Sequence, residues 1–483
     1  MMENNGTNLQ DALPANPTHV HLLGIAGVGM VGLARLFLTA GARVTGSDQA
    51  VYPPMSDLLE QMGIELMEGY GPKNLLSKPD LAVVGNVIRS DNPEAHELTR
   101  RSIPYTSMAG ALERYFLDGM TRVVVCGTHG KTTLTSMISW ILFDQGLDPS
   151  FFIGGIANNF GYNSRLGKGG VFVVEGDEYD TAYFDKIPKF LHYSPDIAIV
   201  TSIEFDHADI YRDLNQIKSQ FESLLRKMPA EATLIACSDY AAVGEVLTSC
   251  ACEIQSYGLA DSTEWSIANL CDHASGLSFE ILRNGESQCK GTLPVFGVHN
   301  ALNTLAAISA VSKLGITPEK AMKSMESFSG VQRRQQIYEH PAGVTIIDDF
   351  AHHPTAARVT CQAIRSRYPD RRLIAIFEPR TNTSRRSVFQ KDYATSFLTA
   401  DLILLREPPA GKSDQGQEMF DSFRLAEDIR SVGKSAEAFG NAQQILDHLM
   451  NVVESGDVVL IMSNGNFEGL RSSLINRLDG GRT

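Results

Sequence analysis

The sequence predicts an α/β protein built on parallel sheets and arranged in three successive blocks. Three observations lead there. Short apolar runs alternate with helical stretches in every block, the pattern of strand–helix–strand units whose strands pair in parallel. In two blocks the opening strand runs straight into a glycine-rich turn and then a helix. The chain has 483 residues, with 43% hydrophobic and 20% charged side chains. That is an ordinary globular mix, and at about 150 residues per domain it suggests three domains. A chain of this size buries a core large enough to need no disulfide staples.

The first block, residues 18–121, opens with an apolar strand at 20–25, a glycine-rich turn and a helix ending near Ala40. A second strand covers 43–48 and a later one 81–85. The second block, residues 122–334, starts with a strand at 122–126, a loop at 127–133 and a helix to about Gln145. Apolar strands at 171–174 and 197–201 follow, with helices at 214–228 and 299–314, and 330–334 reads as a hinge. The third block, residues 335–483, has strands at 344–347, 373–377, 402–405 and 458–462 with helices between them. Residues 230–290 are less regular and read as an antiparallel insertion. The longest charge-free run, 291–312, contains Pro294, His299, Asn300 and Asn303. It therefore reads as a buried helix with polar contacts and not as a membrane span.

Lys and Arg number 42 against 56 Asp and Glu, a net charge of −14. Such a surface repels nucleic acid and anionic lipid, which excludes general binding to either. A phosphorylated ligand must then be held by local cations, backbone N–H groups and metal. The 7 cysteines are scattered. Only Cys250 and Cys252 stand close, without the two-residue gap of a zinc ribbon or redox motif. They fit structural thiols in a reducing cytoplasm. Residues 1–18 are polar and lack the apolar stretch of a signal peptide, so a cytoplasmic protein is expected.

Gly127, Thr128, His129, Gly130, Lys131, Thr132 and Thr133 lie between a strand and a helix. Glycines let backbone N–H groups close on phosphate oxygens, and the helix N-terminus adds positive potential. Lys131 is placed to neutralise β and γ phosphates and Thr132 to ligate Mg²⁺. The spacing is shorter than the usual phosphate loop, because Val125 stands where that loop has its first glycine. The alternative is a helix start with an incidental lysine. Gly27, Gly29 and Gly32 follow the first strand, and Asp48 ends the second, placed to bond a ribose hydroxyl. This fingerprint specifies a nucleotide diphosphate, and a plain tight turn reads the same. With an ATP loop further on, a UDP-sugar competes with NAD.

Glu175, Asp177 and Glu178 end a strand of the second block, where a carboxylate either holds Mg²⁺ near the γ-phosphate or caps a solvated strand end. Glu204, Asp206, His207 and Asp209 follow the next strand. His207 is an unusual magnesium ligand, and a plain hydrogen-bonding role stays open. Asp348, Asp349, His352 and His353 look like a metal site, but a strand-end Asp oriented to a ribose or an incoming amine is the preferred reading. Arg333 and Arg334 form either a clamp for a transferring phosphoryl group or a solvated surface pair.

These motifs follow one another in a single order from residue 19 to about 470, and in that order the chain resembles the Mur ligase superfamily, the ATP-dependent amide-forming enzymes of peptidoglycan synthesis. The resemblance implies a Rossmann-like UDP-binding domain, a central P-loop ATPase-like domain and a C-terminal Rossmann-like domain for the amine substrate. Residues 127–133 match the family's ATP loop, short spacing included. Glu175 and His207 match its magnesium ligands, with Thr132 beside them. Asn300 and Asn303 match its adenine-contact helix, Arg334 its hinge arginine, and Asp349 its nucleotide-contacting acid. Lys131, Glu175, His207 and Arg334 are then the implied catalytic set, with Mg²⁺ as cofactor and ATP as co-substrate. Gly27, Gly29, Gly32 and Asp48 are the implied UDP-sugar site. The lysine that is carbamoylated in several members falls near Gln220, with Lys218 out of register, so no carbamate is expected.

Residues 175–186, 377–383 and 462–467 resemble one branch of the superfamily. That branch joins UDP-N-acetylmuramate to a ready-made murein tripeptide, L-alanyl-γ-D-glutamyl-meso-diaminopimelate, in cell-wall recycling. The implied partners are UDP-N-acetylmuramate, ATP and the tripeptide, with no nucleic acid, no membrane, and a monomer or weak homodimer. His352 and Arg380 are the implied peptide-binding residues, Arg380 because a planar guanidinium suits carboxylate capture. Arg385 and Arg386 fit a solvated helix start as well, and residues 179–189 are expected in the same wall. Three alternatives remain. A UDP-N-acetylmuramate–L-alanine ligase shares most of these motifs. An NAD-dependent dehydrogenase leaves residues 127–133 unexplained, and a non-catalytic nucleotide-binding regulator leaves Glu175, His207 and Arg334 without a role.

Overall fold

The computed structural model describes residues 13–51, 53–273, 275–408 and 418–480; the reading of the N-terminus rests partly on residues 1–12, outside the described residues. The chain folds as two compact units. One holds residues 1–203, 218–257 and 306–324, the other 204–217, 258–305 and 325–483.

The first unit contains two large parallel sheets among the described residues. A five-stranded parallel sheet has the order Glu65–Glu68, Arg43–Asp48, His19–Leu23, Leu81–Val84, Tyr105–Ser107. Its central strand is buried throughout, which parallel strands covered on both faces require. Two of its residues are nevertheless histidines, and their hydrogen bonds make this possible. Nδ1 of His21 lies 2.8 Å from the Thr45 hydroxyl and its Nε2 lies 2.7 Å from Glu94. The helix Val28–Thr39 covers the sheet with Met30, Val31, Leu33, Leu36 and Phe37.

The second sheet has the order Glu253–Gly258, Thr233–Cys237, Ile197–Val200, Thr121–Cys126, Val171–Gly176, Ser150–Ala157, all parallel, with Tyr162–Arg165 added antiparallel at the edge. Its helix Lys131–Asp144 starts at Gly130, whose φ of 81° favours glycine. Residues 230–290 differ from expectation. Thr233–Cys237 and Glu253–Gly258 extend the parallel sheet, because the first is a continuous buried run of the kind parallel sheets use. Only Trp265–His273, Gly276–Arg283 and Glu286–Leu293 form an antiparallel meander, which lies in the second unit. Its second turn is Asn284–Gly285, both with positive φ, the geometry that matches strand twist in a two-residue hairpin.

The second unit is built on a six-stranded sheet of order Gln336–Glu339, Thr345–Asp349, Val458–Met462, Leu373–Phe377, Leu402–Arg406, Ser435–Phe439. Only the first pair is antiparallel. Alternating residues fill two cores, one around Phe377, Tyr393, Phe397 and Phe420, the other around Ile376, Leu446, Leu449 and Leu474. The charge-free run forms the helix Val298–Ser312, with Ala301, Leu305 and Ile308 fully buried. Among the described residues no helix is long and apolar enough to cross a membrane.

Candidate active site

In the first unit, the loop after Thr121–Cys126 sits beside the ends of two neighbouring strands. Gly127 has a φ of 125°, and a Cβ there would meet the Thr201 hydroxyl at 2.2 Å. The N–H groups of Thr128 and His129 donate to the carbonyl and hydroxyl of Ser202 at 2.9 and 3.0 Å. The Thr201 hydroxyl donates to the His129 carbonyl at 2.6 Å. The loop is thus clamped to the neighbouring strand end, and its last glycine turns it into a helix N-terminus that no side chain caps.

Three of the expected residues meet there. The Thr132 hydroxyl donates to Glu175 Oε2 at 3.2 Å, and Glu175 Oε1 accepts from the Gly154 N–H at 2.5 Å. Thr132 and Glu175 are both buried, and together they present hard oxygen donors of the kind Mg²⁺ prefers. Lys131 Nζ donates to the Gly127 carbonyl at 2.6 Å and to Glu178 at 2.8 Å, with Asp177 at 3.9 Å. Burial works against its charge, but Glu178 and Asp177 outweigh it and hold the ammonium firmly protonated. Lys189 completes the group, 2.9 Å from Asp177.

The fingerprint glycines of the first sheet also have a packing role. A Cβ on Gly29 would meet Met108 Sδ at 2.7 Å, and one on Gly32 would meet Asn163 and Phe152 at 2.9 and 3.0 Å. Asn163 donates to the Val28 carbonyl at 2.7 Å and Ser164 to that of Gly32 at 2.8 Å. Gly29 and Gly32 therefore let this helix pack against the neighbouring sheet's edge hairpin. Gly27 caps the helix. Asp48 accepts from the Ala26 N–H at 2.9 Å and from the Tyr70 hydroxyl at 3.3 Å, so it braces the loop that leads into the helix.

In the second unit, His207 has a φ of 53° and its ring nitrogen stands 4.0 Å from Asp206. His352 Nε2 is 3.9 Å from the same carboxylate. Burial raises the affinity of Asp206 for its proton, yet His207, His352 and His353 outweigh it and keep the group ionised. Burial lowers the pKa of His352 against the pull of Asp206. His353 is structural: its Nδ1 accepts from the Thr355 N–H at 3.2 Å, capping the helix Pro354–Arg367, and its Nε2 donates to the Phe205 carbonyl at 3.1 Å.

Asp348 and Asp349 are consecutive in a strand and so point to opposite faces, which removes the two-carboxylate metal site. Asp348 pairs with Arg471 at 2.6 Å and Arg333 at 3.4 Å. Asp349 accepts from the N–H groups of Gln335 and Ala351 at 2.8 and 2.7 Å. Its burial raises the pKa, an effect that Arg334 opposes. The arginine pair also divides. Arg333 donates twice, at 2.6 Å, to the carbonyls of Ser463 and Gly465. Arg334 lies over the Phe350 ring at 4.7 Å. Asn300 donates to the Phe296 carbonyl at 2.9 Å and Asn303 to Asn300 at 3.2 Å, one turn apart on a helix. Arg380 is exposed, its guanidinium lying flat where a Cβ on Gly465 would come within 2.4 Å.

Sequence reasoning passed over Gly154, Lys189 and Ser202. Gly154 lies inside a strand, where a glycine signals a close approach; here the approaching group is Glu175. Lys189 is a lone cation after Pro188, and only folding shows it 2.9 Å from Asp177. Residues 179–189 form the hairpin Asp180–Ala182 with Asp185–Pro188. It packs on the first sheet, with Asp185 accepting from Ser107 at 2.7 Å and Phe184 edge-on to Tyr105.

Residues 19–118 match the Mur ligase family, catalytic domain; residues 125–311 match the Mur ligase middle domain; residues 333–465 match the Mur ligase, glutamate ligase domain. The Escherichia coli protein named UDP-N-acetylmuramate–L-alanyl-gamma-D-glutamyl-meso-2,6-diaminoheptandioate ligase is 37% identical over 460 residues, 95% of this chain and 98% of that one. A UDP-N-acetylmuramate–L-alanine ligase of Geobacter sulfurreducens is 33% identical over 466 residues, 96% of this chain and 98% of that one. The crystal structure of a murein peptide ligase from Psychrobacter arcticus shares 33% identity and a TM-score of 0.73, covering 95% of this chain and 98% of that chain. With the three domain types matched in order and relatives spanning nearly its whole length, the chain belongs to the Mur ligase family.

Proposed function

We propose that the protein is an ATP-dependent ligase that joins UDP-N-acetylmuramate to L-alanyl-γ-D-glutamyl-meso-diaminopimelate and releases ADP and phosphate. The observation that carries this reading is the meeting of Lys131, Thr132 and Glu175 at one loop–helix junction. The 37% identity to a ligase named for the tripeptide supports that amine over free L-alanine.

A carboxylate and an amine do not condense at neutral pH without a leaving group. In the proposed reaction the γ-phosphoryl group of ATP passes to the lactyl carboxylate of UDP-N-acetylmuramate. The peptide amine attacks the acyl phosphate, the C–O bond to phosphate breaks, and phosphate leaves with the electron pair. The protein supplies positioning and charge neutralisation. Residues 127–133 cradle the triphosphate, and Lys131 faces its β and γ oxygens. Thr132 and Glu175 would hold Mg²⁺, with His207 as the further ligand; the bound ion offsets phosphate charge. Arg334 steadies the transferring group, Asp349 orients the nucleotide, and Asn300 and Asn303 contact adenine. The loop at Gly27 takes the UDP diphosphate, and Arg380 with His352 meets the peptide.

Mass spectrometry of a reaction with all three substrates and magnesium tests this. The expected product has the mass of UDP-N-acetylmuramate plus tripeptide less one water, and it disappears when ATP is omitted. Absence of that product, or its formation without ATP, overturns the reading.

A further inference from the structure

We propose that Cys250 and Cys252 form a reversible peroxide-oxidation site, in which Cys250 takes the oxidation and Cys252 resolves it as an intramolecular disulfide. The accessible sulfur is thereby kept from irreversible damage.

The first observation is distance. The two Sγ atoms lie 2.9 Å apart, so closing an S–S bond of about 2.05 Å needs less than about 1 Å of approach. The sequence arranges this. Cys250 is extended, with φ −91° and ψ 129°, and in an extended chain residues two apart share a face. The spacing that suits neither a zinc ribbon nor the usual redox motif thus brings the sulfurs together, with the small, exposed Ala251 between them.

The second observation is asymmetry. Cys250 is partly exposed and Cys252 is buried, so a small oxidant in solvent reaches Cys250 first. Burial, with the adjoining Cys250 thiol adding to it, pushes the pKa of Cys252 up to about 12. Cys252 therefore holds its proton and does not compete as the attacking thiolate. It is also fixed in place. Its sulfur lies 3.6 Å from the Glu253 carbonyl, where the strand Glu253–Gly258 begins its parallel pairing with Thr233–Cys237. The phosphate loop follows Cys126, at the far ends of these parallel strands, so the bond forms without reaching the candidate active site.

The chemistry balances. The Cys250 sulfur attacks one oxygen of hydrogen peroxide and the O–O bond breaks. The leaving hydroxide takes the Cys250 proton and becomes water; the sulfur is oxidised to a sulfenic acid as the peroxide is reduced. The Cys252 sulfur then attacks the Cys250 sulfur and the S–O bond breaks. The departing hydroxyl takes the Cys252 proton as a second water and leaves a disulfide. Two thiols and one peroxide become one disulfide and two waters. A sulfenic acid with no resolving thiol goes on to sulfinic and sulfonic acids, which thiols do not reverse, whereas thiol reductants do reopen a disulfide. Cys271 offers the contrast inside the same chain: it is exposed, and its thiol meets the Asp272 carbonyl at 3.8 Å instead of a second sulfur.

The test treats the full-length protein with hydrogen peroxide and maps its peptides by mass spectrometry before and after dithiothreitol. At a dose that carries Cys271 to sulfinic or sulfonic acid, the wild-type peptide holding Cys250 and Cys252 should be lighter by about 2 Da, and dithiothreitol should restore about nine-tenths of it or more. Cys252→Ser removes the resolving thiol and should raise the irreversibly oxidised fraction of Cys250 at least about fivefold. Cys250→Ser should leave Cys252 a thiol at the same dose, because burial shields it. Sulfinic or sulfonic acid at Cys250 in the wild type overturns the proposal. So does a Cys250 still reduced when Cys271 is oxidised, a disulfide from Cys250 to another cysteine, or a folded Cys252→Ser no more sensitive than the wild type. The wild-type map alone decides if a variant fails to fold.

Discussion

Lys131 illustrates how a loop prepares a charge for phosphate. Its ammonium is buried yet held charged by Glu178 and Asp177, so it meets an incoming anion without having to acquire a proton. Lys131→Ala should lower kcat/KM by two orders of magnitude or more, the loss of about 3 kcal/mol of transition-state stabilisation. A phosphate-release assay on a variant with an unchanged melting curve checks this. Glu175→Gln should raise the magnesium concentration needed for half-maximal activity about tenfold, because an amide is a weak ligand for a hard cation. Gly154→Ala should do the same from a distance: the new Cβ would meet Glu175 Oε2 at 2.7 Å and turn the carboxylate aside. A magnesium titration of both variants decides whether Glu175 acts through the metal. Loop glycines, lysine and strand-end carboxylate were legible in the chain because their spacing is local. Gly154 and Lys189 were not, since each acquires its meaning only from a residue on another strand.

The hairpin after Val171–Gly176 adds a pH-dependent element. His192 lies 3.1 Å from Asp185 and 3.4 Å from Glu113. Burial opposes its protonation, but Asp185 and then Glu113 outweigh it and push the pKa up to about 9 from 6.5. The folded value lies above the ordinary one. The protonated ring therefore contributes its full stability below about pH 6.5, and this is lost as pH rises through about 9. Thermal melts of wild type and His192→Gln should differ by on the order of 1 kcal/mol at pH 6 and converge by pH 10. A gap that does not change with pH would contradict this. Strands were the easiest elements to place, since apolar runs such as Leu373–Phe377 and Val458–Met462 are unbroken and buried on both faces. The meander was harder. Its Asn284–Gly285 turn was a local signal, but its strands alternate weakly: Trp265–His273 runs from buried to exposed along its length instead of from one face to the other. The fingerprint glycines show the opposite limit: their pattern was plain, and packing against Asn163 and Phe152 gave Gly29 and Gly32 a use the pattern does not specify.

Across the whole molecule, a chain of net charge −14 is assigned three anionic substrates, so its cations must be concentrated where they are used. Arg380 is one such cation, and Gly465 provides the flat surface on which it lies. Arg380→Ala should raise the tripeptide KM at least about tenfold with little change in that for UDP-N-acetylmuramate, and Gly465→Ala should act in the same direction. The three-sheet α/β architecture was legible because each sheet is built from local strand–helix units. The choice of amine was legible only through the resemblance of residues 175–186, 377–383 and 462–467 to one branch of the family, because it depends on a few side chains spread over loops. It is settled most directly by steady-state phosphate release with UDP-N-acetylmuramate and ATP, comparing the tripeptide with free L-alanine. The account predicts a kcat/KM for the tripeptide at least about a hundredfold higher, as expected of a site whose polar groups pair with carboxylates that L-alanine lacks. Equal or greater efficiency with free L-alanine would contradict it.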